Sequence, residues 1–295
     1  MGLFDRFKSE SLYKKAYKLF NQGEYQESLE FCNQLLEIDD NIVEAWNLKG
    51  AVLEKLMLFN EALTSYDRAL DLDPDFHHAW SNKGNVLKER NMDDDAIKCY
   101  NKALELDPSY SKAWNGKAIV LFKLKRFDES LKCFDKALEL DPKNSLNWFN
   151  KGKALAELKR FDEPIKCYDK AIKLDPSNSS TWYNKGNSFL KLKQFDNALK
   201  CFNEALKLDH HDYSAWNNKG NVLVNLKQFD DAIECFDKVL ELNPEHRNAY
   251  YNKASVFIEL KKYDFALKCF DKVLELNPDD KDAKKRKEEI LSSQS

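Results

Sequence analysis

The chain has 295 residues, 33% of them charged, and its basic and acidic side chains nearly cancel at a net charge of −3. Because no long block of one charge sign precedes the C-terminal tail, the composition argues against a dedicated nucleic-acid binder. No stretch of ~18 or more apolar residues occurs, so we expect no transmembrane helix.

The N-terminal extension, residues 1–8, has no apolar secretory core. We therefore expect a cytoplasmic protein. The apolar side chains Leu3, Phe4 and Phe7 could contact a membrane or a partner, or the segment could fray as chain ends commonly do.

A period of 34 residues governs the rest of the chain. Tryptophan recurs in one frame, with a tyrosine in the next step: Trp46, Trp80, Trp114, Trp148, Trp182, Trp216 and Tyr250. Counting Trp46 as repeat position 4, position 8 is Gly or Ala, position 24 is Tyr or Phe from the second repeat onward, and position 32 is usually Pro. A fixed period of this length is typical of stacked copies of one supersecondary unit.

Each period predicts two helices. Positions 4, 8 and 11 share one face of the first helix. Glycine in mid-helix costs ~1 kcal/mol, so its recurrence at position 8 predicts the close approach of a second helix, whose positions 20 and 27 are small. The second helix should end at Leu-Asp-Pro, as in Leu106-Asp107-Pro108, because the residue before proline avoids helical geometry. Pro164 should be tolerated because it falls in a first helical turn.

This pattern resembles the tetratricopeptide repeat (TPR), a pair of antiparallel helices, over residues 9–280. The resemblance implies one elongated all-α domain, an α-solenoid forming a right-handed superhelix of about eight helix-turn-helix repeats. Residues 281–295 would supply a C-terminal capping helix and tail. The predicted repeats are 9–42, 43–76, 77–110, 111–144, 145–178, 179–212, 213–246 and 247–280.

The cysteine and histidine residues do not favour a disulfide or a metal site. Six of the seven cysteines share position 23, and stacked helices ~8–10 Å apart exceed the ~7 Å that a disulfide can bridge. We expect small packing residues in a reducing compartment. His210, His211 and His246 come from adjacent junctions and could approach one another as a metal site, although exposed turn residues are the favoured interpretation. With no recognisable catalytic motif, we expect no enzyme, no cofactor and no metal.

Lysine occupies position 7 of all eight repeats, where the family usually has an apolar residue. Each stem could lie along a neighbouring helix with its ammonium group reaching an Asp or Glu, or the row could form a basic ridge for nucleic acid or another polyanion. The many acidic residues near the junctions favour the first interpretation. The row is Lys15, Lys49, Lys83, Lys117, Lys151, Lys185, Lys219 and Lys253.

Asparagine gives the main functional prediction. Positions 2, 5, 6, 9, 12 and 13 lie within an arc of ~120° opposite the core face, and in a TPR superhelix this arc lines the concave groove. A carboxamide both donates and accepts, as a peptide backbone requires, although asparagine could also be simply soluble and inherited with the repeat. The predicted groove residues are Asn82, Asn85, Asn150, Asn184, Asn187, Asn218, Asn221 and Asn252, with Phe122, Phe149, Tyr183, Leu190, Val224 and Tyr251 as apolar ribs.

The asparagine row resembles the ladder in the TPR superhelix of the O-linked N-acetylglucosamine transferase, which holds substrate peptides. The carboxylate clamp of the chaperone co-factors is absent, because Asn47, Ala51 and Gly116 replace residues that it requires. We therefore predict a scaffold or adaptor that binds a peptide or protein in its groove. The alternatives are polyanion binding through the lysine row and a targeting subunit of a separate enzyme; self-association is a further option.

Overall fold

A computed structural model describes the backbone of residues 3–294 and the side chains of residues 7–292. The side chains of Leu3 and Phe4 lie outside this part. The described chain is entirely helical, without strands, and its helices are α1 (Leu3–Gln22), α2 (Tyr25–Ile38), α3 (Val43–Lys55), α4 (Phe59–Leu72), α5 (His77–Glu89), α6 (Asp93–Leu106), α7 (Ser111–Lys123), α8 (Phe127–Leu140), α9 (Ser145–Glu157), α10 (Asp162–Leu174), α11 (Ser179–Lys191), α12 (Phe195–Leu208), α13 (Tyr213–Asn225), α14 (Phe229–Leu242), α15 (Arg247–Glu259), α16 (Tyr263–Leu276) and α17 (Lys281–Gln294).

The helices form two compact units, Met1–Ala154 and Leu155–Ser295, divided within α9. In the first unit the odd-numbered A-helix of each repeat packs on the B-helix that follows it, from α1 on α2 to α7 on α8. In the second unit the same pairing runs from α11 on α12 to α15 on α16, and α17 packs on α16. The predicted all-helical array of paired helices is confirmed within each unit. None of the described helices is both long and apolar enough to span a membrane.

From the second repeat onward, a buried ring at position 24 separates the two helices of each repeat that lies within one unit. A Cβ added to Gly50 would lie 2.5 Å from the Tyr66 ring, closer than real Cβ contacts allow. The glycine therefore exists to admit the ring, which confirms the packing reason inferred from the period. The fully buried rings are Tyr66, Tyr100, Phe134, Tyr168, Phe202, Phe236 and Phe270.

The loops between A- and B-helices share a left-handed residue. At Lys193 φ is 57°, and this geometry lets Gln194 N–H donate to the Phe189 carbonyl at 2.9 Å, closing the end of α11. Side chains other than glycine and asparagine cost ~1–2 kcal/mol in this conformation. The left-handed residues are Met57, Asn91, Lys125, Lys159, Lys193, Lys227 and Lys261, in the frame of Gly23 in the first repeat.

Pro164 lies in the first turn of α10, as predicted. In the fourth repeat the equivalent N–H, that of Ser130, donates to the Arg126 carbonyl at 2.9 Å. Proline has no N–H to donate. Glu163 N–H contacts the Arg160 carbonyl at 3.3 Å instead, and α10 begins one residue later in the repeat frame than α8.

The tryptophans join consecutive repeats. Each indole Nε1–H donates to the backbone carbonyl at position 32 of the preceding repeat, as Trp80 does to Pro74 at 2.9 Å. The same bond at His210, made by Trp216 at 3.0 Å, does not need proline. The other donors are Trp46, Trp114, Trp148 and Trp182.

Gly50→Ala should destabilise the first unit by about 1–2 kcal/mol. Overpacking costs ~1–3 kcal/mol, and this outweighs the ~1 kcal/mol by which alanine favours a helix, because the Tyr66 ring is fully buried. Urea unfolding followed by circular dichroism measures the change. An increase in stability would show that the ring has room to yield.

Lys193→Gly should stabilise the second unit by about 0.5–1 kcal/mol. Relief of the left-handed backbone, ~1–2 kcal/mol, exceeds the entropic cost of glycine, ~0.5–1 kcal/mol. The matched control is Lys200→Gly, inside α12, which should cost about 1 kcal/mol. If both variants were destabilised equally, the left-handed residue would carry no strain.

Candidate functional site

The A-helices of each unit contact one another in series, and we call the surface that they share the inner face. Besides packing on its B-helix, each A-helix contacts the A-helices of neighbouring repeats, from α1 through α3 and α5 to α7, and from α11 through α13 to α15. Helix positions 5, 6 and 9 lie on this face. The side chains that the sequence selected at these positions are mostly half-buried rather than fully exposed.

Carboxamides connect neighbouring repeats in the second unit. Asn218 Nδ2 donates to Asn187 Oδ1 at 2.8 Å and to the Tyr183 hydroxyl oxygen at 3.2 Å. One repeat further on, Asn252 Nδ2 donates to Asn221 Oδ1 at 3.0 Å and to Asn217 Oδ1 at 3.3 Å. We call these six side chains the amide ladder: Tyr183, Asn187, Asn217, Asn218, Asn221 and Asn252.

The amide ladder uses only part of its hydrogen-bonding capacity. A carboxamide has two N–H donors and one carbonyl oxygen, so both donors of Asn218 and of Asn252 are used. Their Oδ1 atoms, and the Nδ2 groups of Asn187 and Asn221, have no protein partner in the described part of the chain. These asparagines therefore brace adjacent repeats, a structural role that the sequence analysis did not assign.

The same bracing is partial elsewhere. Asn82 Nδ2 donates to Asn47 Oδ1 at 3.0 Å, and Asn85 Oδ1 accepts from the Tyr100 hydroxyl at 2.8 Å. Asn184 Nδ2 donates to the Ser180 carbonyl of its own helix at 2.8 Å.

Asn150 is half-buried and makes no side-chain hydrogen bond within the described residues. Of the predicted asparagines it is thus the one whose carboxamide serves no visible structural purpose.

Gly116 interrupts the amides for a steric reason. A Cβ at this position would lie 2.5 Å from two carbon atoms of the Tyr100 ring. The sequence analysis considered Gly116 only as a replacement for a residue that the carboxylate clamp requires, whereas here it receives the ring of the preceding repeat. Nearby, Asn115 Oδ1 is buried without a hydrogen-bond partner among the described residues.

The predicted apolar ribs are half-buried. The ring of Phe122 meets Phe127 edge-on at 5.5 Å, and Lys153 Nζ lies 5.3 Å from the Phe122 centroid and 5.6 Å from that of Phe149. Tyr183 contacts the buried Phe202 ring. The remaining ribs, Leu190, Val224 and Tyr251, pack against the core clusters of their repeats.

A cavity in the first unit contains residues that the sequence analysis did not select. It measures about 350 Å³ and lies among α1, α3, α5 and α7. We call it the N-terminal pocket and define it by Tyr13, Tyr17, Asn47, Glu54, His78 and Lys112. In their repeats these residues occupy positions 5, 9, 5, 12, 2 and 2, respectively, all within the arc predicted to line the groove. A comparison of charged and aromatic side chains at those positions would therefore have identified them from the sequence.

Glu54 is the acidic side chain of the N-terminal pocket. Its Oε2 accepts from the Tyr66 hydroxyl at 3.2 Å, the one hydrogen bond that the described residues offer it. Burial raises the pKa of the Glu54 carboxyl above its ordinary value, and the Tyr66 bond, Lys55 and Lys88 only partly oppose this. Burial likewise lowers the pKa of His78, with smaller contributions in the same direction from His77 and Lys112.

The lysine row is used for packing between repeats. Lys83 Nζ lies 2.5 Å from an oxygen of Asp67, on the preceding B-helix, and 5.6 Å from the Trp80 ring centroid. The interpretation as stems reaching nearby carboxylates is confirmed for four members, Lys83, Lys151, Lys185 and Lys253. The other four lie over aromatic rings: Lys15, Lys49, Lys117 and Lys219.

Position 25 decides which lysines are paired. It holds Asp169 opposite Lys185, at 2.6 Å. In the following repeat position 25 is Asn203, which lines the same cavity as the next lysine of the row, Lys219. Among the described side chains, a lysine of the row is therefore ion-paired where position 25 of the preceding repeat is aspartate, and it is not ion-paired where that position is asparagine.

Asn203→Asp should create the missing ion pair with Lys219. The expected gain is about 0.5 kcal/mol at low salt, since exposed pairs contribute ~0–1 kcal/mol, and it should vanish at high salt through screening. Asp169→Asn is the mirror-image control and should lose a similar amount. Thermal unfolding at both ionic strengths measures the effect; a salt-independent change would exclude pairing as its cause.

In the described part of the chain the seven cysteines are buried and form no disulfide. Burial raises the pKa of Cys99, Cys201 and Cys235 to about 11, so these thiols stay protonated and poorly nucleophilic near neutral pH. The interpretation as packing residues agrees with their environment.

The histidine cluster forms no metal site within the described residues. His246 Nδ1 accepts from Ala249 N–H at 3.1 Å and so caps α15. His210 and His211 contact each other through their rings at 3.9 Å.

The fold and its inner face define a helical-repeat protein of the solenoid class. The tetratricopeptide repeat matches residues 43–76, 78–110, 111–144, 179–212, 213–246 and 248–280, and related TPR descriptions match 9–42, 133–163 and 152–193. The chain belongs to the tetratricopeptide repeat family. No curated protein sequence matches it significantly.

Solved structures of the same fold support this assignment. YrrB, described as a TPR protein with an unusual peptide-binding site, is 26% identical, with a TM-score of 0.58 over 65% of this chain and 99% of its own. PilF of Pseudomonas aeruginosa is 22% identical, with a TM-score of 0.62 over 72% of this chain and 97% of its own. The Cut9–Hcn1 complex matches at 20% identity and a TM-score of 0.61, covering 95% of this chain and 55% of that one.

Proposed function

We propose that the chain is a non-catalytic scaffold or adaptor that holds an extended segment of a partner protein along its A-helices. Membership of the tetratricopeptide repeat family supports an interaction role in general. YrrB, which at 26% identity is similar to this chain, is described as having a peptide-binding site. The side chains on the inner face support the finer assignment of the binding site to that surface.

The unused half of the amide ladder carries the proposal. Asn218 and Asn252 each retain an acceptor oxygen, and Asn187 and Asn221 each retain a donor group, on half-buried side chains. An extended peptide needs alternating acceptors and donors for its own N–H and C=O groups. Because the other half of each carboxamide is held by a neighbouring repeat, the groups are pre-organised, which lowers the entropic cost of binding.

This role differs from a row of freely rotating amides. The resemblance to the ladder of the O-linked N-acetylglucosamine transferase suggested eight equivalent carboxamides, whereas Asn82 and Asn184 already donate to protein acceptors. We therefore place the main backbone contacts of the second unit on the amide ladder, with Tyr251 as a neighbouring apolar contact. In the first unit we propose Asn150 as a separate contact, with Phe149 beside it.

The polyanion alternative is less well supported. It requires free ammonium groups along the lysine row, and four of these are neutralised by aspartates. The remaining four lie over aromatic rings.

The triple variant Asn150→Ala, Asn184→Ala and Asn218→Ala should weaken binding of a peptide selected from a random display library by about tenfold. Each lost hydrogen bond contributes ~0.5–1.5 kcal/mol, and 1.4 kcal/mol is a factor of ten. Fluorescence anisotropy with the labelled peptide measures the affinity.

Two controls separate binding from folding. Asn203→Ala, on a B-helix outside the groove, should leave the affinity unchanged. Asn218→Ala alone should also lower stability, since it removes two bonds between repeats, whereas Asn150→Ala should not. Wild-type affinity in the triple variant would remove the asparagines from the proposed function.

A further inference from the structure

We infer that the N-terminal pocket receives the side chain of an arginine or lysine from the bound segment, with Glu54 as its counter-ion. This inference rests on the proposed function and specifies the chemistry of the partner. It is independent of the amide ladder, which lies in the other unit.

Among the residues whose side chains the structure describes, none forms an ion pair with the carboxylate of Glu54. The closest described lysines act on it only as nearby charges: Lys55 is exposed, and Lys88 is paired with Glu89 at 3.1 Å. A half-buried carboxylate with a single hydrogen bond retains several free acceptor sites. A guanidinium or ammonium group would satisfy those sites and recover the cost of burying the charge.

Aromatic side chains form the wall of the N-terminal pocket nearest α1. The rings of Tyr13 and Tyr17 are stacked, with centroids 6.3 Å apart and an interplanar angle of 14°. Tyr17 is 50% exposed, so one ring face is accessible. Arginine and lysine stack favourably on such faces through cation–π attraction.

A second carboxylate, that of Glu44, adds negative charge beside the N-terminal pocket. An adjoining cavity of about 390 Å³ shares Tyr13, Tyr17, Asn47 and His78 with the N-terminal pocket and adds Glu44. Burial, and next the charge of Glu44, raise the pKa of Tyr13. A cationic side chain lying against the exposed face of Tyr17 would therefore have a carboxylate in each adjoining cavity.

Basic groups in the same region do not reverse this preference. Lys55 and Lys112 line the pocket but are exposed, so water and salt screen their charges more than that of the half-buried Glu54 carboxylate. The lowered pKa of His78 keeps its ring uncharged at neutral pH. The inner part of the pocket thus presents one carboxylate, hydroxyls and carboxamides.

The test compares peptides that differ only in one charge. Peptides are selected on the full chain from a random display library, and each arginine is then replaced by citrulline, which keeps the shape and removes the charge. We expect the selected peptides to contain arginine or lysine, and we expect the citrulline form to bind about tenfold more weakly or worse. The variant Glu54→Gln should bind both forms equally, at the level of the citrulline peptide.

The controls address folding and specificity. Because its raised pKa means that ionised Glu54 opposes folding at neutral pH, Glu54→Gln should unfold at the same or a higher temperature. Glu105→Gln, at an exposed glutamate on α6 near Lys102, should keep the full preference for arginine.

Three results would overturn the inference. Equal binding of the arginine and citrulline peptides to the wild type, or a preference that survives Glu54→Gln, would reject the counter-ion while leaving the scaffold intact. A preference for peptides with a free carboxylate that is lost in Lys112→Gln would assign the pocket to an anion. Failure to select any peptide would reject the proposed function itself, and this inference with it.

Discussion

The fold of each unit depends on one steric constraint, a fully buried aromatic ring between the paired helices of its repeats from the second repeat of the chain onward. The ring at position 24 sets the distance between A- and B-helix, and position 8 must be small to accept it. Gly116 extends this constraint across a repeat boundary, since it receives the ring of Tyr100. Burial of such a ring contributes ~2–3 kcal/mol, and the repetition along the chain explains how a solenoid without a central core is stable.

The junctions between repeats are stabilised in two separate places. Near the helix ends, a tryptophan indole donates to a backbone carbonyl, and the lysine one turn further along covers the indole and, where position 25 is aspartate, forms an ion pair. On the inner face, carboxamides connect one A-helix to the next. The first set of contacts pairs four of the eight lysine charges and holds the other four lysines over aromatic rings, whereas the second leaves hydrogen-bonding groups unused. The inner face is therefore the better candidate for binding a partner.

Much of the architecture was accessible to sequence reasoning because it follows from periodic local rules. The period predicted the helices, the location of Pro164 in a first helical turn, and the close approach of two helices at the glycine of position 8. It could not show that Asn218 and Asn252 use both donors on neighbouring repeats, since this depends on how far apart adjacent A-helices lie. The N-terminal pocket was missed for a related reason: Glu54 and Tyr17 are far apart in sequence and unremarkable singly, and only stacking brings them to one cavity.

The amino-acid sequence alone determined that this protein is a TPR array, because turn residues and small-to-large complementarity recur within each period and need no long-range information. Tertiary structure decided which polar groups remain available. A carboxamide, a lysine or a glutamate has the same local preferences whether it is satisfied or not. Contacts with the neighbouring repeat determine that Lys185 pairs with an aspartate and that Asn187 accepts a hydrogen bond from an amide. They also determine that Glu54 lies half-buried without a counter-ion among the described residues.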